Sequence, residues 1–267
     1  MASKQRLDLQ LLTLGLATSR QQAQQLIRAG KVRDGAGQLL DKPGMDIAVD
    51  RLLTVERPPR FVSRGGDKLL AGLEAFPISV EGRVCLDGGI STGGFTDCLL
   101  QHGAQRVYGV DVGYGQTAWS LRTDERVVLR ERTNLRHLQP TDLYGDADHW
   151  PTLAVTDVSF ISLRLVLPAL RRLLEGDDAE ALVLVKPQFE VGKNRVGKGG
   201  VVRDPEAHVD AIAMVIASAA DLNWFPQGVV ASPIVGPAGN HEYVLWLAQD
   251  ATAALPDLQE LVAATLG

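Results

Sequence analysis

Between Arg6 and Val32 the apolar positions Leu7, Leu11 and Leu14, then Ala23, Leu26 and Ile27, follow the three- and four-residue spacing of one helix face. They are split by Gly15-Leu16-Ala17-Thr18-Ser19-Arg20, where Gly15 suits a helix end and Thr18 or Ser19 the cap of the next helix. The pattern predicts a short helix, a tight turn and a second helix ending at Gly30. Lys31-Val32-Arg33, a glycine turn over 35–37 and Pro43-Gly44 follow, and Ile47-Ala48-Val49 and Leu52-Leu53-Thr54-Val55 then read as short strands. This small α+β unit ends at Arg57-Pro58-Pro59-Arg60, because two prolines extend neither a helix nor a central strand. The expected division is a head over 1–60, a linker at about 57–62 and a body over 63–267.

In the body, short apolar strands alternate with helices. Strands are expected over 83–87, 107–111, 127–130, 153–157 and 181–186, with helices running to His102 and Leu174, a further helix over 205–220, and late strands near 227–230 and 243–247. That alternation implies an α/β fold with a mostly parallel sheet covered on both faces.

Composition sharpens the division. The 267 residues are 45% hydrophobic and 22% charged, with mean hydropathy +0.02, enough to bury a sizeable core. Residues 1–60 carry ten Lys and Arg against six Asp and Glu, which leaves 17 against 26 in the remainder, so the overall charge of −5 hides a basic head on an acidic body. The start of the chain has no secretory apolar stretch and no run is long enough to span a membrane, which predicts a cytoplasmic protein. Cys85 and Cys98 lack metal-site spacing and read as reduced core thiols. His102, His137, His149, His208 and His241 share no ligand spacing either, and no metal is expected.

The chemistry is expected at strand ends. Asp87-Gly88-Gly89-Ile90-Ser91-Thr92-Gly93-Gly94 closes the first body strand, where open α/β sheets bind ligands. Its glycines do not match the pyrophosphate fingerprint, and no Lys-Ser/Thr follows them as a phosphate loop requires. Asp111 ends the next strand, placed to accept hydrogen bonds from a ribose diol. Together these point to an adenosyl ligand without pyrophosphate, S-adenosyl-L-methionine, the alternative being a tight strand-helix turn that binds no ligand. Asn134 is either an adenine contact or a turn residue. Asp157, Lys186 and Glu242 mark three further strand ends, and Lys68 lies just before the first strand.

Taken in order, these blocks resemble the TlyA family, ribosomal RNA 2′-O-methyltransferases first described as haemolysins, in which an S4-type RNA-binding domain precedes an FtsJ-like methyltransferase domain. The resemblance rests on Arg6-Leu7-Asp8, Ala17-Thr18-Ser19-Arg20 and Leu26-Ile27-Arg28-Ala29-Gly30-Lys31-Val32 in the head. In the body it rests on Val62-Ser63-Arg64-Gly65-Gly66-Asp67-Lys68-Leu69, the stretch 87–97, Thr156-Asp157-Val158-Ser159-Phe160-Ile161-Ser162, Val185-Lys186-Pro187-Gln188-Phe189-Glu190 and Gly239-Asn240-His241-Glu242. It implies a Rossmann-like class I methyltransferase sheet and a catalytic tetrad of Lys68, Asp157, Lys186 and Glu242. The cofactor site would comprise Asp87, Gly88, Gly89, Ser91, Thr92, Gly93, Gly94, Asp111, Asn134 and Asp157. Some family members carry Arg-x-Trp-Val between the domains, where this chain reads Arg60-Phe61-Val62.

The residue types suit the reaction. A ribose 2′-hydroxyl is a poor nucleophile and needs in-line positioning and help in losing its proton. Lys186 is assigned the central role, as an ammonium favouring the developing alkoxide or as a neutral base; Lys68 and Asp157 would orient it and Glu242 would hold one lysine. The alternative for the four is a structural ion-pair network. Candidate phosphate contacts are Lys4, Arg6, Arg20, Arg28, Lys31 and Arg33 in the head, with Arg64, Lys193, Arg195, Lys198 and Arg203 in the body. The expected partner is ribosomal RNA or a ribosomal subunit, with cytidine in 16S or 23S RNA implied by the resemblance; a membrane-acting haemolysin and a non-catalytic RNA-binding or ribosome assembly factor remain the rival readings.

Overall fold

The computed structural model describes residues 3–56, 59–145, 150–176, 178–251 and 253–267. Met1, Ala2, His149 and, in the expected linker, Arg57 and Pro58 lie outside the described residues. The chain divides into two compact units, Met1–Pro59 and Arg60–Gly267.

The first unit runs β1 (Lys4–Arg6), α1 (Leu7–Thr13), α2 (Arg20–Arg28), β2 (Val32–Asp34), β3 (Asp46–Ala48) and β4 (Leu53–Val55). Strand β1, which has no apolar alternation to announce it, pairs antiparallel with β3, and β2 pairs with β4. Ser19 caps α2 by accepting a hydrogen bond from the Gln22 amide at 3.1 Å. Of the stripe that the spacing predicts, Leu7, Leu11, Ala23 and Ile27 are fully buried with Val32, Leu40 and Ile47 as this unit's core, whereas Leu26 is half-buried and Leu14, just past the end of α1, is exposed.

The second unit contains α3 (Gly65–Ala75), β5 (Val84–Gly88), α4 (Gly94–Gln101), β6 (Arg106–Val110), α5 (Trp119–Arg122), β7 (Val127–Arg130), α6 (Pro140–Tyr144), β8 (Leu153–Thr156), α7 (Leu167–Arg172), β9 (Glu180–Val185), α8 (Pro187–Glu190), α9 (Pro205–Ala220), β10 (Phe225–Ala231), β11 (Tyr243–Ala248) and α10 (Leu258–Leu266). Among the described residues these strands form one seven-stranded sheet in the order β10-β11-β9-β8-β5-β6-β7. Strands β5 to β9 are mutually parallel along the sheet, whereas β11 runs antiparallel between β9 and β10. The α/β class expected from the alternation is the fold found. Leu153–Thr156 is buried throughout and β9 nearly so, as fits strands covered on both faces.

The register places the site. Gly88 pairs with both Val110 and Thr156, so Gly89, Asp111 and Asp157 occupy the next row beyond three adjacent strands. Thr156 pairs with Val183 and Tyr243 with Val185; continuing each ladder sets Ser159 and Glu242 level with Lys186. The chain winds from β5 out to β6 and β7 and then returns to β8 on the other side of β5, so this row sits at the point where strand order reverses.

Several elements escape the hydrophobic pattern, the short helices α5, α6 and α8 among them. Helix α3 covers a stretch read only as a motif, and α10 was not anticipated. The helix expected after the fourth strand starts later, at Leu167 with Pro168 in its first turn, because residues 157–162 form a loop with Phe160 at φ 64°. Phe61 and Val62, placed in the linker by sequence, belong to the second unit: Phe61 is buried against Gly66, and the Val62 amide donates to Asp97 Oδ2 at 2.8 Å.

Candidate active site

Lys68 reaches the sheet edge because α3 and α4 meet closely. A Cβ on Gly94 would fall 2.3 Å from Ser63 Oγ and 2.8 Å from the Gly66 amide, so only glycine lets the two helix starts pack. Lys68 Nζ then donates to Glu242 Oε2 at 2.6 Å and lies 3.6 Å from Asp157 Oδ2. Lys186 Nζ sits 2.5 Å from Asp157 Oδ1 and donates to Ser159 Oγ at 2.8 Å. Asp157 therefore bridges two lysines that are only 7% and 6% exposed, and Glu242 is the partner of Lys68. Two positive and two negative groups cancel, which makes the burial of Lys68, Lys186 and Glu242 beside the half-buried Asp157 tolerable.

These residues line a cavity of about 530 Å³ together with Gly89, Ser91, Thr92, Gly94, Gln188, Phe189 and Asn240. A second cavity of about 390 Å³ is lined by Asp111, Val112, Asn134 and Ile161. The two share Gly89, Ser91, Asp157, Ser159 and Phe160 as a common rim. Asp111 accepts from the Ser91 and Gly113 amides at 2.8 and 2.7 Å, which fixes its carboxylate and leaves each oxygen a lone pair to offer. Asn134 caps a short 3₁₀ turn over Leu135–His137 by accepting from the Arg136 amide.

Asp87, Gly88 and Gly93 stand behind this lining. Asp87 is buried, accepts from Thr96 Oγ1 at 2.7 Å, and has its carboxyl pushed up to about 7, chiefly by burial. Side chains at Gly88 and Gly93 would strike Leu135 and Leu121, so both glycines serve packing. Cys85 and Cys98 are free, buried thiols pushed up to about 12 by burial.

Sequence reasoning passed over the residues that shape the first cavity. Glu190, itself buried, accepts from Ser162 Oγ at 2.6 Å and from the Leu163 amide at 2.7 Å, joining the loop after β8 to α8. That junction sets Phe160, 91% exposed, against Phe189 with ring centres 5.3 Å apart. Asn240 accepts from the Val202 amide at 3.0 Å and donates to Gly200 O at 2.9 Å, fastening the loop over 193–203, which carries Lys193, Arg195, Lys198 and Arg203, to the entry of β11. Ser159, Phe160, Gln188 and Phe189 do fall inside the quoted blocks; their adjacency to Asp157 and Lys186 was the available signal.

The expected phosphate contacts divide. Lys4, Arg28, Arg33, Arg64, Lys193, Lys198 and Arg203 are exposed. Arg6 and Arg20 both bind the buried Asp8 yet stay 42% and 53% exposed, and Lys31 pairs with Glu56 at 3.1 Å. The two guanidinium groups and Gln24 hold the Asp8 carboxyl well below the usual range. Arg195 needs correction: Asp204, at 2.8 Å, and Asp210 engage its guanidinium, so it braces the loop against the start of α9.

Comparison with known proteins decides the family. A family model for FtsJ-like methyltransferases matches residues 61–249, and one for S4 domains matches residues 5–33. A 16S/23S rRNA (cytidine-2′-O)-methyltransferase TlyA from Mycobacterium tuberculosis is 52% identical over 96% of this chain and 94% of its own. The chain belongs to the TlyA family. Another relative, Hemolysin A of Brachyspira hyodysenteriae, is 38% identical over 90% of this chain and 98% of its own. A solved structure from Streptococcus thermophilus, described as a candidate hemolysin, aligns with TM-score 0.71 and 40% identity over 99% of this chain and 96% of that one. Among the described residues of this TlyA-family chain, no helix is long and apolar enough to cross a membrane.

Proposed function

We propose that this chain methylates the ribose 2′-hydroxyl of cytidine in ribosomal RNA, 16S, 23S or both, with S-adenosyl-L-methionine as donor and in the cytoplasm. The observation that carries the reading is the Lys68–Asp157–Lys186 bridge at the junction of two cavities, one of which offers a fixed carboxylate. The donor set fits the adenosyl ligand. Asp111 would accept from the ribose diol, Asn134 would meet the adenine, and Gly89, Ser91, Thr92, Gly94 and Asp157 would line the way from the second cavity into the first. Bound there, S-adenosyl-L-methionine supplies a methyl group on a sulfonium.

Lys186 would sit beside the attacking oxygen, held in place by Asp157 and Ser159. It would either stabilise the forming alkoxide as an ammonium or accept the hydroxyl proton on Nζ as an amine. Asp157 would hold both lysines in register, and Glu242 would fix Lys68. Phe160 and Phe189 offer aromatic faces to a base turned out of the RNA. Lys4, Arg6, Arg20, Arg28, Lys31 and Arg33 in the first unit, with Arg64, Lys193, Lys198 and Arg203 in the second, would meet phosphates. A chain serving only as an assembly factor would have no use for two buried lysines bridged by a carboxylate at a cavity junction. Mapping ribose methylation on ribosomal RNA from cells with and without this protein tests the reading: a methylated cytidine present only with the protein is expected, and identical maps would refute it.

A further inference from the structure

The wall of the first cavity carries a polar group that none of the roles above uses. Gln188 lies two residues beyond Lys186 on α8 and lines the same cavity as Lys186, Asp157, Phe160 and Phe189. Its side-chain Oε1 is shielded from solvent and receives no hydrogen bond from the protein. A shielded acceptor without a donor is destabilising unless a ligand or an ordered water supplies the donor, and on a cavity wall an incoming ligand can take that place. The segment bearing it is held at both ends, Lys186 by Asp157 and Ser159 and Glu190 by Ser162 and Leu163, so Gln188 is mounted on a rigid support.

We propose that Gln188 selects the target base, its Oε1 accepting a hydrogen bond from the exocyclic amine of cytosine. The inference rests on the activity proposed above. Once the ribose hydroxyl is at Lys186, the base of the same nucleotide lies within the cavity that Gln188 and the Phe160–Phe189 pair border. Cytosine presents an N4 amine at the position where uracil presents an O4 acceptor. Uracil would set two acceptors against each other and leave both unpaired, and sites built around a buried hydrogen bond reject an analogue that lacks the matching group. Lys186 would thus govern the reaction at the sugar and Gln188 the identity of the base.

The test compares initial rates of methyl transfer to ribosomal subunits from cells lacking the protein, carrying either cytidine or uridine at the nucleotide the wild-type protein methylates. Wild type should favour cytidine by about 10- to 100-fold in kcat/KM. Gln188→Leu, which removes the acceptor, should bring the ratio within about threefold, mainly by loss on cytidine. Gln188→Glu, which can accept but not donate, should keep the preference. If the leucine variant fails to fold, Gln188→Ala removes the same acceptor. An unchanged preference in Gln188→Leu or Gln188→Ala, or its collapse in Gln188→Glu, overturns the role of Gln188 while leaving the enzyme reading intact. Absence of cytidine methylation by the wild-type protein would instead overturn the proposed activity, and the inference with it.

Discussion

Asp87 illustrates how one carboxyl ties the site to stability. Its pKa is pushed up to about 7 by burial, reinforced by the nearby Asp157 and Asp111 charges, while the Thr96 hydrogen bond opposes the shift. The unfolded chain releases this proton near 3.8, so between about pH 4 and pH 7 the folded state holds a proton that the unfolded state has lost. Its contribution is therefore greatest at low pH and declines as pH rises to 7. Asp87→Asn should remove that slope, about 1.4 kcal/mol per pH unit at its steepest, from denaturant unfolding measured between pH 4.5 and 7.5. Superimposable pH profiles for the two proteins would contradict this. At this scale the sequence was legible wherever a charge ended an apolar strand, as with Asp111, Asp157 and Lys186. It was not legible where a role depends on contacts across the fold: nothing in Arg6-Leu7-Asp8 shows that Asp8 lies buried beneath Arg6 and Arg20, and Arg195, a candidate phosphate contact by sequence, is held by two carboxylates.

The parallel strands were readable as elements because burial on both faces demands continuous apolar runs, and their order follows from the way each crossover returns to the sheet. Helix α3 was hidden for a different reason. It opens on Gly65-Gly66, poor helix formers; a side chain at Gly66 would strike Phe61, and the close approach of α4 is made through Gly94, whose Cβ would meet the Gly66 amide. The loop over 193–203 shows the same dependence on distant contacts. Its glycines and charges suggest a mobile strap, yet Asn240 pins it through Gly200 and Val202 and Arg195 through Asp204 and Asp210. Asn240→Ala should release the pin at a local cost of about 1–3 kcal/mol. Amides in 197–203 should then exchange faster, and KM for ribosomal subunits should rise roughly 3- to 10-fold with a smaller change in kcat. A protection pattern and KM identical to wild type would show that Asn240 does not hold the loop.

Among the described residues the molecule has three buried apolar clusters and two kinds of surface. The first unit holds one cluster and the second unit two, and the second unit begins at Arg60 because Phe61 already belongs to one of its clusters. Removing residues 1–59 should leave a folded body that binds S-adenosyl-L-methionine but loses affinity for ribosomal RNA, whereas removing 1–62 should also lower its melting temperature through the loss of Phe61. Unchanged RNA affinity in the shorter deletion would move the RNA contacts onto Lys193, Lys198 and Arg203. Within the intact protein, neutralising single exposed head residues such as Arg28 should each lower the salt slope of RNA binding by about one. If the bridge from Lys68 through Asp157 to Lys186 makes the 2′-hydroxyl reactive, methyl transfer by purified Lys186→Ala to ribosomal subunits from cells lacking the protein reads that out. Cofactor and RNA affinity should stay within a few fold while transfer falls by roughly 10² to 10⁴, and activity retained in Lys186→Arg would identify the cationic role. Near-normal turnover in Lys186→Ala would contradict the account and leave the bridge a structural ion-pair network.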